Sequence, residues 1–102
     1  MIKFSRYPHL HDLLDHYIDR LERKDISEIL RSGINTQEEA ETFAKFIWDV
    51  VGQMNEDEDK GVEVLGHTDN SEMIPDISYE ITRLMRDSGF YSIWVTVSDE
   101  VG

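Results

Sequence analysis

From Leu10 the apolar residues fall at Leu10, Leu13, Leu14, Tyr17, Ile18 and Leu21. The offsets are i, i+3, i+4, i+7, i+8 and i+11, which predict an amphipathic helix. Pro8 stands just ahead, where the first helical turn tolerates a residue without an N–H. Asp25 with Glu28 reads as a capping pair opening a short second helix, which Gly33 stops. Thr36 with Glu39 repeats that signature and predicts a third helix to about Met54, burying Ala40, Phe43, Phe46, Ile47, Val50, Val51 and Met54. Asp76 is placed to cap a fourth over residues 77–87, with Ile77, Ile81, Leu84 and Met85 inward, and Ser88-Gly89 ends it.

Three segments read as strands instead. Residues 2–5 (IKFS) alternate apolar and polar, and residues 62–66 (VEVLG) do so again. Residues 90–97 (FYSIWVTV) are rich in β-branched and aromatic side chains. As a strand they would set Tyr91, Ile93, Val95 and Val97 on one face and Phe90 and Trp94 on the other. The predicted order is β-α-α-α-β-α-β, a single α+β domain over residues 1–102 with about four helices packed on a sheet of about three strands.

Composition narrows the class. One core is the expectation for 102 residues, 39% hydrophobic and 31% charged. There is no cysteine, which rules out disulfides and thiolate metal sites and fits a reducing cytosol. No run of 18 apolar residues and no apolar leader core occurs, so a cytoplasmic chain is expected, neither secreted nor membrane-inserted.

Charge changes the picture most. Ten basic and 22 acidic residues give −12. Residues 36–82 hold 13 of the acids against Lys45 and Lys60, so nearly all the excess lies mid-chain. Direct nucleic-acid or lipid binding is disfavoured, because phosphate backbones call for clustered Lys and Arg. A basic partner, or a bound cation, is favoured instead.

The run Glu56, Asp57, Glu58, Asp59 is the densest part of that excess, and is predicted to be a connection after the third helix. Asn55, Asp57 and Asp59 alternate like the first ligands of a calcium loop, but Lys60 stands where the glycine belongs and Gly66 where the closing glutamate belongs. Recognition of a partner is the reading preferred for this run. His9, Asp12, His16 and Asp19 share the polar side of the first helix, and Asp12 and His16 have the i, i+4 spacing that suits zinc. Arg20 beside them argues for an ordinary solvated face. His67, Asp69, Asn70, Ser71 and Glu72 follow the second predicted strand without a nucleophile elbow, phosphate cradle or HExxH.

Aromatic residues supply candidate anchors. Trp48 lies off the apolar face of the third helix, Tyr79 points away from that of the fourth, and Trp94 is on the minor face of the last strand. The expected function is therefore a non-enzymatic, acidic protein-binding module without metal or cofactor. It would occlude a basic, nucleic-acid-handling partner such as a nuclease, a toxin or a defence complex. The surface would comprise Glu38, Glu41, Trp48, Asp49, Glu56, Asp57, Glu58, Asp59, Tyr79 and Trp94. In size and charge the chain resembles small immunity proteins and phage-encoded inhibitors, although no motif assigns it to such a family. The alternatives are a metal-binding domain or metalloenzyme built on the first-helix His/Asp face or residues 67–72, and a homo-oligomer or assembly subunit joined through Phe90 and Trp94.

Overall fold

The computed structural model describes residues 2–61 and 73–101, and for 73–76 the backbone alone. A single 3-10 turn, Phe4–Arg6, leads into α1 (Pro8–Arg20), α2 (Lys24–Ser32), α3 (Gln37–Lys60), α4 (Met73–Asp87) and α5 (Tyr91–Val101). Helix α3 is the spine. α5 packs along it most extensively, α2 and α4 pack against it, and α1 packs on α2 and the 3-10 turn.

This is a helical bundle, and the expected α+β architecture does not hold. Among the described residues there is no sheet, only one antiparallel bridge between Ile2 and Ile34. The Ile2 N–H donates to Ile34 O at 3.1 Å, and the Ile34 N–H donates to Ile2 O at 3.0 Å. Ile2 and Phe4 alternate because each anchors the N-terminal segment in the core, and the chain then turns into α1 before a strand can extend. The strand expected at 62–66 and the polar segment 67–72 lie outside the described residues.

The other expected strand, 90–97, is the body of α5. Phe90, Ile93, Trp94 and Val97 also satisfy i, i+3, i+4, i+7, and this periodicity is the one that is used. Trp94 and Val97 are buried, with Phe90 and Ile93 packed against the same core. Strand propensity mostly measures fit to a neighbouring strand, and none is offered here among the described residues. The hydroxyls adapt to the helix: Thr96 Oγ1 donates to Ser92 O at 2.8 Å, and Ser98 Oγ donates to Trp94 O at 2.7 Å.

Local signals succeed where a helix end has its own chemistry. Thr36 closes a complete capping box: its Oγ1 accepts from the Glu39 N–H, and Glu39 Oε1 accepts from the Thr36 N–H, both at 3.1 Å. Asp25 does not cap α2. The helix begins one residue earlier, and Asp25 sits in its first turn as the ion-pair partner of Arg23. α4 begins at Met73, ahead of Asp76, because Pro75 falls in a first turn that has no need of its missing N–H.

Gly33 joins the two ends of the N-terminal segment. It ends α2 at φ +85°, and a Cβ there would collide with the carbonyl oxygen of Ile2, which already serves the bridge to Ile34. Gly33→Ala should cost at least about 2 kcal/mol, combining left-handed strain with loss of the bridge. Urea denaturation of the two proteins measures this directly.

Candidate acidic face and a buried carboxylate

The acidic run after Met54 is not a connection. α3 continues through it to Lys60, and Gly61 ends the helix in the left-handed conformation. Glu and Lys are good helix formers, and Lys60 in the last turn complements the carbonyl end of the helix. Glu56 lies one turn before Lys60 and pairs with it at 2.6 Å, holding the Lys60 ammonium above its usual range.

Helical geometry then separates the four acids. Asp57 follows Val50 and Met54 on the inner face and is fully buried, the sole buried charged residue among those described. Its carboxylate accepts from Tyr17 Oη at 3.1 Å, from Gln53 Nε2 at 2.9 Å and from the Arg20 guanidinium in an ion pair. Tyr17 and Arg20 are i, i+3 on α1, while Gln53 and Asp57 are i, i+4 on α3, so each helix presents two members on one face. Removing a carboxylate from water costs several kcal/mol, and three donors with one full positive charge offset that here. Asp57 is thus a tie between two helices, not part of a contact surface.

Glu38, Glu41, Asp49, Glu56 and Asp59 point outward from α3, and Glu58 is half-buried at its edge. At 3.6 residues per turn, Glu38, Glu41, Asp49 and Asp59 fall within roughly 80° of one another. Lys45 lies in the same stripe and pairs with Glu41 at 3.1 Å, while Asp49 receives Arg23 Nη1 at 3.1 Å.

The aromatic candidates divide. Trp94 is buried and its Nε1 donates to Thr82 Oγ1 at 2.9 Å, so it joins α5 to α4. Trp48 stacks on it with ring centroids 5.6 Å apart and planes 13° from parallel, bringing α3 into the same contact. Trp48 is half-buried, and its Nε1 has no partner among the described residues. Tyr79 remains 69% exposed on α4. Phe90 is partly buried against the core, while Tyr91 and Val101 on α5 are exposed.

On α1 the His/Asp face does not converge. His9 and Asp12 are exposed, Asp12 lies 3.6 Å from His11 rather than beside His16, and His16 sets its ring edge-on to Tyr17. Among the described residues no group of three His, Asp or Glu side chains is arranged to hold a metal ion. The 67–72 segment lies outside the described residues.

Removing the tie leaves a buried tyrosine hydroxyl and a glutamine without their acceptor, while Arg20, a third exposed, regains water. Asp57→Ala should therefore cost about 2–4 kcal/mol by urea denaturation. Glu41→Ala, on the surface, should cost no more than about 0.5 kcal/mol. Burial, and then the hydrogen bond to Asp57, raise the Tyr17 phenol well above its ordinary value. Its folded-state stabilisation is then complete below the unfolded pKa of about 10 and declines as pH rises above it, because the unfolded chain ionises first. Melting temperature should fall from about pH 10 upward, and Tyr17→Phe should flatten that part of the profile. No protein-family model matches this sequence, and no curated protein and no solved structure shows significant similarity to it.

Proposed function

We propose that this chain is an acidic protein-binding module that engages a basic partner through the outer face of α3, in the manner of a small inhibitor of a nucleic-acid-handling protein. The observation that carries this reading is the stripe of Glu38, Glu41, Asp49, Glu56 and Asp59 along one 24-residue helix. At 1.5 Å per residue the acids from Glu38 to Asp59 span about 32 Å of that helix. The intramolecular pairs on it do not block the role. An exposed i, i+4 pair is worth so little that Glu41 can exchange Lys45 for a better-placed arginine on a partner.

Gly52 adds a second support. It lies in the middle of the exposed stripe, where a Cβ would meet nothing within 4 Å. A glycine inside a helix is worse than alanine by about 1 kcal/mol, and no close approach among the described residues requires it. A surface kept bare for close approach by another chain accounts for it. Trp48, half-buried one turn earlier, would border that contact. Asp57, Glu58 and Trp94, turned inward or to the edge, belong to the scaffold of the face. A cytosolic setting, with charge steering the encounter, goes with the cysteine-free, strongly acidic chain.

Among the described residues no helix is long and apolar enough to cross a membrane. Affinity capture from a host lysate, with a salt step, tests the proposal. The expected result is a basic protein released by salt and lost when Glu38, Glu41, Asp49 and Asp59 are changed to Gln or Asn. With the isolated partner, these changes should lower the association rate and its salt dependence while leaving dissociation within about threefold. Capture that is indifferent to both salt and the four substitutions would refute the proposal.

A further inference from the structure

The cations of this acidic chain are distributed in a way that its surface pairing does not explain. Among the described residues, Lys3, Arg6 and Lys24 alone of the Lys and Arg side chains lack a carboxylate at ion-pair distance. Two of these three line the same cleft. It has a volume of about 170 Å³ and is bounded by Ile2, Lys3, Arg6, Tyr7, Leu84 and Ser88. The Arg6 N–H donates to Lys3 O at 3.3 Å across a single 3-10 turn, and residues three apart in such a turn eclipse. Local backbone geometry therefore sets two like charges side by side, with no acid in the cleft wall to relieve them.

The remaining lining is complementary to an anion with an apolar body. Ile2 and Leu84 are buried residues forming an apolar floor, and Tyr7, 40% exposed, supplies a ring at the wall. The hydroxyls of Thr82, Thr96 and Ser98 are occupied by carbonyls of their own helices. Those of Tyr7 and Ser88 make no hydrogen bond to another described residue, and both border the cleft. Beyond Tyr7 and Leu84 a second hollow of about 150 Å³ continues along α4, lined also by Glu80, Arg83 and Asp87. The carbonyl end of α4 near Ser88 contributes about half a negative charge, against two full positive ones. Of the acids in the adjoining hollow, Asp87 lies within 4.0 Å of both Arg83 and Arg86, which oppose its charge, and repulsion from the α3 acids acts on a long polyanion. A small anion feels little of it beyond a screening length of about 8 Å.

We propose that this cleft binds a small phosphomonoester with a flat apolar body. The phosphate sits between Lys3 and Arg6 within reach of the Tyr7 and Ser88 hydroxyls, and the body lies against Tyr7 and Leu84. The site is separate from the acidic α3 face and does not depend on the function proposed for it.

The test is an amide-resolved NMR titration of the full chain with phenyl phosphate and with inorganic phosphate, at ionic strength held constant with sodium chloride. Saturable shifts are expected at residues 2–7 and 84–88, with a phenyl phosphate dissociation constant of about 1 mM or tighter. K3Q/R6Q should weaken binding about tenfold or more while leaving the rest of the spectrum in place, and K24Q should not weaken it. Three results would each overturn the proposal: shifts that grow without saturating, shifts of equal size in K3Q/R6Q, or inorganic phosphate binding as tightly as phenyl phosphate.

Discussion

A carboxylate placed in the interior of a small protein has to be answered from several directions at once, and the way Asp57 is answered organises this bundle. Arg20 supplies charge, and Tyr17 and Gln53 supply the hydrogen bonds that hold the oxygens in place. The donors come from two helices 37 and 40 residues apart in sequence from Asp57 where they lie on α1. Neither Tyr17 nor Arg20 would reach the carboxylate if α1 slid along α3, and a polar group removed from water costs more unpaired than a packed methylene costs misplaced. The contact thus fixes register, while the apolar layers supply most of the stabilisation. The second polar fixture, Trp94 donating to Thr82 beneath the Trp48 ring, does the same for α3, α4 and α5.

This arrangement explains how far the fold could be read from the chain. α1 was legible because its apolar positions fit only a 3.6-residue period, and the start of α3 because Thr36 and Glu39 form a cap whose chemistry is entirely local. α5 was not legible from propensity. Phe90, Ile93, Trp94 and Val97 fit a helix, and Tyr91, Ile93, Val95 and Val97 fit a strand. Which pattern is used depends on what lies opposite, and α3 offers a helix surface carrying the Trp48 ring that stacks on Trp94. That information is tertiary, so a reading weighted by β-branched content goes astray there.

The acidic run was misread for a different reason. Four adjacent acids look uniformly solvent-seeking, yet a helix gives adjacent residues different surroundings, since each is turned about 100° from the last. Val50, Met54 and Asp57 continue one inward stripe at steps of four and three. Arg20 on α1, noted in the sequence as a disturbance to a metal site, was the available sign that a buried acid needed a partner. The exposed members of the candidate face were legible as charge, but their alignment was not, because it depends on α3 continuing to Lys60.

The extension of α3 also bears on how the acidic face can act. On a loop, each carboxylate would have to be ordered when a partner arrives, at a cost in side-chain and backbone entropy for every contact. On a helix capped at both ends and tied by Asp57 beneath its last turns, the backbone part of that cost is met when the chain folds. Under the proposed function the negative field is then already aligned at encounter, which is the condition under which charge accelerates association most. The buried acid and the exposed ones are therefore linked: the first ties to α1 the helix on which the others stand. Mutual repulsion along the outer face is opposed by Lys45, Lys60 and Arg23, each close enough to lower it and none buried enough to lock it.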